Sequence, residues 1–279
     1  MKNSIPTHHS ILPKWLAWID FLGILEKDPF GNLLVIKRLL ISIIGWITYW
    51  RFTAVNKIEI KGTEYLENLP DCDVLFLSNH QTYFADVMAF YQIFGSVKWG
   101  FKNTIVPPLY LLAPRARVYY VAASETMKGG ILPRIFSIAG AITVERSWRA
   151  NGEDVKRERD ASAGNRVATA LKHGWVISFP QGTTSPYAPL RKGTAYLIKE
   201  TDPIVVPVVI NGFRRAFDKK GLRFKKRNTI LTVEFKKPVL FAPDTDVEVI
   251  MDYIRHEIGQ EIPYEKMNWM NEGEEGNKV

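Results

Sequence analysis

A chain of 279 residues with 46% hydrophobic, 12% aromatic and 24% charged residues has the length of one large domain, alone or with a small appendage. Its apolar content suffices for a core, which excludes global disorder. Thirty-seven Lys and Arg against 29 Asp and Glu leave a net charge of +8, which suits an anionic surface, either phospholipid headgroups or nucleic acid, without choosing between them.

In chain order, the leader Met1–Ser10 is polar and the next apolar stretch lacks a cleavage pattern, so no secretory signal is expected. The stretch Ile11–Tyr49 is dense in aromatics and aliphatics: Trp15, Trp18, Phe21 and Leu25, then Leu33–Ile36, then Leu39–Trp50. That last run has twelve residues flanked by Lys37, Arg38 and Arg51, short of the ~18–20 apolar residues of a spanning helix. It predicts an interfacial or shallowly inserted helical hairpin, rings in the headgroup layer and cations on anionic phosphates. A plain pair of core helices is the alternative. The organisation read from this is a membrane-associating element at residues 1–52, an α/β domain at 53–265 and a polar tail at 266–279.

From Lys57 onward, short β-branched and aromatic runs alternate with helical stretches, which predicts an α/β fold with a mixed, largely parallel sheet flanked by helices. Strands are predicted at Lys57–Lys61, Val74–Leu77, Val97–Phe101, Val118–Ala122, Ala141–Val144, Trp175–Phe179, Ile204–Ile210 and Ile230–Phe235. Helices are predicted at Phe84–Phe94, Ala161–Lys172, Arg191–Lys199 and Val247–Glu261, from apolar residues recurring at three- and four-residue intervals. The charge-rich segment Ser147–Asp160 reads as a solvated loop and Asn271–Val279 as disordered. The single cysteine, Cys72, cannot form an internal disulfide. It reads as a buried structural thiol in a reducing, cytosolic compartment.

Of five histidines, His8 and His9 lie in the leader, and His173 and His256 on helical stretches without reactive neighbours. His80 ends the apolar strand that begins at Val74 and is followed by Asp86. Strand tips are where α/β sheets place chemistry. A carboxylate on one imidazole nitrogen fixes the tautomer and makes the other nitrogen a better proton acceptor, as deprotonating an alcohol or amine requires. A histidine that merely caps the following helix has the same sequence signature. The run Ser178-Phe-Pro-Gln-Gly-Thr-Thr-Ser-Pro186 also ends an apolar strand. Gly182 permits close backbone approach, and the amides and hydroxyls of Gly182, Thr183 and Thr184 suit an anion or a polar headgroup; a plain polar turn is the alternative. Gly140-Ala-Ile-Thr-Val-Glu-Arg146 is a short strand ending in a charged pair, where Arg146 has a fork suited to phosphate or carboxylate, or is a solvated loop residue.

Together these runs resemble the blocks of the glycerolipid acyltransferase family, which includes bacterial lysophosphatidate acyltransferases. Asn79-His80…Asp86 resembles its first block, Gly140…Arg146 its second, Phe179–Ser185 its third and Ile204–Ile210 its fourth, in order, over about Lys57–Leu240. A two-helix membrane-binding element before the first block is also similar to what members carry. The resemblance implies direct transfer of a fatty acyl group from acyl-ACP or acyl-CoA to the hydroxyl of a lysophospholipid or lyso-aminolipid. His80 would act as general base and Asp86 as its orienting group. Arg146 would engage an anionic headgroup; Gln181, Gly182, Thr183 and Thr184 would lie at the acceptor, and Pro207 in the wall beside it. No cofactor beyond the thioester co-substrate and no metal is implied. The implied partners are membrane lipid and acyl carrier protein, not nucleic acid, and the implied location is peripheral or monotopic on the cytoplasmic face of the cell membrane.

The chain departs from the family pattern in three places. Five residues, Gln81 to Ala85, separate His80 from Asp86 where the family has four; in a continuous helix the extra residue would turn the carboxylate by about 100°. Gln181 and Thr184 replace a Glu and an Arg, which favours an acceptor other than glycerol phosphate, such as an acyl-amino-acid. Asn103–Arg117 is long and apolar, suited to an acyl channel or membrane contact, or to a buried Pro-rich connection. A non-catalytic lipid-binding protein on the same fold is the rival reading. No Gly-x-Ser-x-Gly elbow, His-Glu-x-x-His motif or Cys cluster supports a serine hydrolase or a zinc enzyme. The cations Arg214, Arg215, Lys219, Lys220, Arg223 and Lys225–Arg227 cluster in one loop without a nucleic-acid reading motif. They read as a solvated hairpin loop, or as a contact for anionic lipid or an acidic carrier protein.

Overall fold

In the computed structural model, which describes residues 26–124, 131–144, 149–150, 153–154 and 161–261, the β-prone runs assemble into one seven-stranded sheet. Its strands are β1 (Lys57–Lys61), β2 (Val74–Ser78), β3 (Val118–Ala123), β4 (Ala141–Val144), β7 (Trp175–Ser178), β8 (Ile204–Asn211) and β9 (Ile230–Phe235), in the order β1-β9-β8-β2-β7-β3-β4. Every pairing is parallel except β8 with β9. β2 lies at the centre, pairing Val74–Ser78 with Ile204–Val208 on one side and Val74–Leu77 with Trp175–Ser178 on the other. All five of its residues are buried, the continuous apolar signature of a parallel strand covered on both faces.

Alternation along the strands divides the core in two. Val74, Phe76, Trp175, Ile177, Val206 and Val208 point to one face, and Leu75, Leu77, Val176 and Val205 to the other. The first face is covered by α1 (Leu34–Thr53), α2 (Ala85–Lys98) and α3 (Ile131–Ala139), the second by α4 (Ala161–Leu171), α5 (Gly193–Thr201) and α7 (Val247–Glu257). Phe76 meets the rings of Phe94 and Trp175 at 4.6 and 5.1 Å. Burial of each such side chain contributes about 1.5–3 kcal/mol.

Three expectations are corrected. Val97–Phe101 is not a strand: Val97 and Lys98 finish α2, and Gly100 at φ +82° follows. The apolar run was read with a period of two where the chain continues a helix buried on every side from Ala85 to Ser96. Within Ser147–Asp160, residues Arg149–Ala150 and Glu153–Asp154 pair as a small antiparallel hairpin, β5 and β6. Cys72 is half-exposed, in the bend before β2. The expected helical hairpin is tested only in its second half, because residues 11–25 lie outside the described residues, as does the tail 271–279. That half is a single 20-residue helix, α1, running straight through Lys37 and Arg38. No described helix is long and apolar enough to cross a membrane.

Candidate active site

All four blocks reach the same edge of the sheet. β2 ends at Ser78 and leads to His80, β7 at Ser178 and leads to Gly182, β8 at Asn211 and leads to the short helix α6 (Phe213–Ala216), and β4 at Val144. Because β2 is flanked by β7 and β8, His80 is central. The end of β2 is locked by Asn79, whose side chain imitates a strand neighbour: its amide donates to the Ile210 carbonyl at 2.9 Å and its oxygen accepts from the Ile210 N–H at 2.8 Å.

His80 and Asp86 meet despite the five intervening residues, with Nδ1 and Oδ2 2.9 Å apart. The extra residue is absorbed in the turn before α2, so Asp86 falls in that helix's first turn, where the helix dipole favours a carboxylate. Asp86 is fully buried and saturated with donors. Oδ2 also accepts from the backbone N–H of Gln81 at 2.6 Å and of Thr82 at 3.0 Å, and Oδ1 accepts from the Thr82 hydroxyl at 2.7 Å. With its oxygens accepting from these groups, Asp86 stands as an acceptor towards the ring, the arrangement that places the His80 proton on Nδ1. The imidazole stacks on Phe179 at 3.8 Å and 19°, and its side chain is 12% exposed. No described residue hydrogen-bonds Nε2, which leaves that nitrogen available as a proton acceptor.

The 179–185 loop stands beside this pair. Gly182 adopts φ +63° and its N–H donates to the Phe179 carbonyl at 2.9 Å. Thr183 is half-exposed, its hydroxyl accepting from the Ser185 N–H at 3.2 Å. Gln181 and Thr184 are buried. The Gln181 amide nitrogen is engaged by the Ala188 carbonyl and by Gln260 Oε1, both at 2.9 Å, so it holds the loop to the C-terminal end of α7. Pro207 lies within β8, opposite Leu77 of β2. Arg146 lies outside the described residues, just past the end of β4.

Sequence reasoning placed Arg214 in a surface cluster, whereas it stands between two blocks. Its backbone N–H donates to Gln81 Oε1 at 3.1 Å and its guanidinium donates to the Thr184 carbonyl. Gln81 in turn donates to the Ile210 carbonyl at 3.1 Å. Gln81 and Arg214 therefore join the first, third and fourth blocks. The signal was available for Arg214, because it follows a strand end just as His80 does; for Thr82 nothing in the sequence indicated which way its hydroxyl points.

Comparison with known proteins fits this geometry. No curated protein sequence matches the chain. The solved structure of the 1-acyl-sn-glycerophosphate (LPA) acyltransferase PlsC from Thermotoga maritima is similar in fold, with a TM-score of 0.50 at 18% identity over 88% of this chain and 85% of that one. The family model described as Acyltransferase matches residues 57–211, from β1 to the end of β8. That span exceeds half of the chain and contains all four blocks: the protein belongs to the acyltransferase family.

Proposed function

We propose that the protein transfers a fatty acyl group from a thioester, acyl-ACP or acyl-CoA, to the hydroxyl of a lysophospholipid or lyso-aminolipid at the cytoplasmic face of the membrane. The observation that carries this reading is the His80–Asp86 contact at an open strand edge. His80 Nε2 takes the hydroxyl proton as the acceptor oxygen attacks the thioester carbonyl. The tetrahedral intermediate collapses with cleavage of the C–S bond, and the imidazolium returns the proton to the departing thiolate. Asp86 orients the ring and stabilises the imidazolium. Gly182, Thr183 and the backbone of Thr184 border the acceptor, with Arg146 and Arg214 as the cations available to an anionic headgroup.

A further feature supports a lipid substrate. The outer face of α1 exposes Leu39, Ile43, Trp46, Ile47 and Trp50, at 42–67% relative exposure, a contiguous apolar face of the kind that marks an interaction site. It supports membrane docking through α1.

The test is release of free thiol from acyl-ACP and acyl-CoA with a panel of lyso-lipid acceptors, for the wild type and His80→Ala. Acceptor-dependent release that disappears in the variant supports the reading and names the acceptor. Equal release from both proteins, or none with any acceptor, overturns it in favour of a non-catalytic lipid-binding protein.

A further inference from the structure

The segment after β8 is built, not merely solvated. Phe217 and Phe224 pair across an antiparallel bridge with their rings 5.6 Å apart. Asp218 Oδ1 accepts from the N–H groups of Leu222 and Arg223 at 2.8 and 3.0 Å. Arg51, at the C-terminal end of α1, lies 5.1 and 4.8 Å from the two rings and donates to the carbonyls of Gly221 and Leu222 at 3.2 and 2.7 Å. On its other side the loop accepts from the N–H groups of Tyr83 and Phe84, at the carbonyls of Lys219 and Lys220, both at 3.0 Å. The loop thus bridges the exposed helix α1 and the turn that carries the His80–Asp86 pair.

Its outward side concentrates charge. Lys219, Lys220, Arg223, Lys225, Lys226 and Arg227 are all exposed, and among the described residues none forms an ion pair with a carboxylate. Asp218 is the only acidic residue between positions 214 and 227, and it faces the loop's own backbone. Like charges held this close repel one another, and an anionic surface relieves that repulsion. Leu222 and Phe224, 36% and 38% exposed, place apolar groups among the cations.

We propose that the 217–227 loop is a docking element for anionic phospholipid, which with α1 seats the His80 opening on the bilayer. This rests on the membrane reading of α1 given above. Cations at the headgroup plane beside aromatic and aliphatic groups at the hydrocarbon boundary are the pattern of an interfacial anchor. An acidic carrier protein would satisfy the cations but leave Ile47 and Trp50, flanking Arg51 on α1, without hydrocarbon to enter.

The test is co-sedimentation of the full chain with vesicles of phosphatidylcholine, alone or mixed with phosphatidylglycerol, at low and high salt. The loop is altered by Arg223→Gln, Lys226→Gln and Arg227→Gln together. Wild type is expected to bind the anionic vesicles more tightly and in a salt-sensitive manner. The triple variant is expected to bind them on the order of 100-fold more weakly, from about fivefold per cation near the surface, with binding to phosphatidylcholine and thermal unfolding unchanged. The charge-preserving pair Arg223→Lys and Arg227→Lys is expected to bind as wild type. Equal wild-type binding to both vesicles, or wild-type behaviour of the triple variant, overturns the loop proposal and leaves the membrane reading standing. Failure of the wild type to bind either vesicle removes both. A defect confined to turnover with acyl-ACP, and absent with acyl-CoA, assigns the loop to a carrier protein instead.

Discussion

The carboxylate that faces His80 is held by groups that a plain His-to-Asp spacing does not describe. Asp86 accepts from two backbone N–H groups and the Thr82 hydroxyl besides the imidazole. Asp86→Asn would set an NH2 group against donors and lose the ionic partner of the imidazolium. A fall in turnover of about 10²–10⁴-fold is expected in the thiol-release assay, comparable with loss of a general base. A second residue, Lys37, is fully buried, with Nζ lacking a hydrogen-bond partner and lying 3.8 Å over the Tyr119 ring. Burial pulls its pKa down to about 7, against the smaller opposing effect of Asp28. Because the folded value lies below the unfolded one, the unfolded chain binds more protons between the two. Lys37 therefore opposes folding most at and below about pH 7, and the penalty fades as pH rises towards the ordinary lysine range. Lys37→Met, which keeps the apolar stem, is expected to raise the thermal midpoint at pH 7. The gain over wild type is expected to shrink when the same unfolding scans are run at higher pH, and a pH-independent difference would argue against this origin.

At the scale of elements, the turn between β2 and α2 and the loop after α6 depend on each other. Gly221 sits at φ +79°, and a Cβ there would lie 2.5 Å from the Ala85 nitrogen and 2.9 Å from the Thr82 hydroxyl. Gly221→Ala is expected to cost about 1–3 kcal/mol in denaturant unfolding and to lower turnover, because the shift is transmitted to the donors of Asp86. α1 and the Pro108–Leu112 turn are in close contact: a Cβ at Gly45 would meet Leu111 Cδ2 at 2.4 Å. Gly45→Val is expected to cost about 1–3 kcal/mol in denaturant unfolding, and an unchanged midpoint would mean that Leu111 yields without cost.

For the whole molecule, one end of the sheet carries the His80–Asp86 pair and one side carries the exposed apolar helix, and the basic loop joins them. Ile47→Asp with Trp50→Asp, both strongly exposed, is expected to abolish sedimentation with phosphatidylcholine vesicles. Release of thiol with a soluble short-chain acceptor is expected to persist, because neither side chain belongs to the sheet edge. Loss of both activities together would mean that α1 serves the fold instead of the membrane.

The sequence by itself determined the sheet and the edge at which the four blocks meet. Buried parallel strands must be apolar throughout, so runs such as Val74–Ser78 and Ile204–Ile210 are legible, and residues just after them fall at one edge. It failed at Val97–Phe101 for the same reason, since a helix buried all round is also continuously apolar. Only the tertiary structure decided the rest. The extra residue before Asp86 lies in a turn, so the carboxylate still meets His80, and Gln181 is buried against Gln260, 79 positions away. The basic loop stands beside the His80 turn because backbone hydrogen bonds across more than a hundred residues tie Lys219 and Lys220 to Tyr83 and Phe84, and such bonds use atoms that every residue shares.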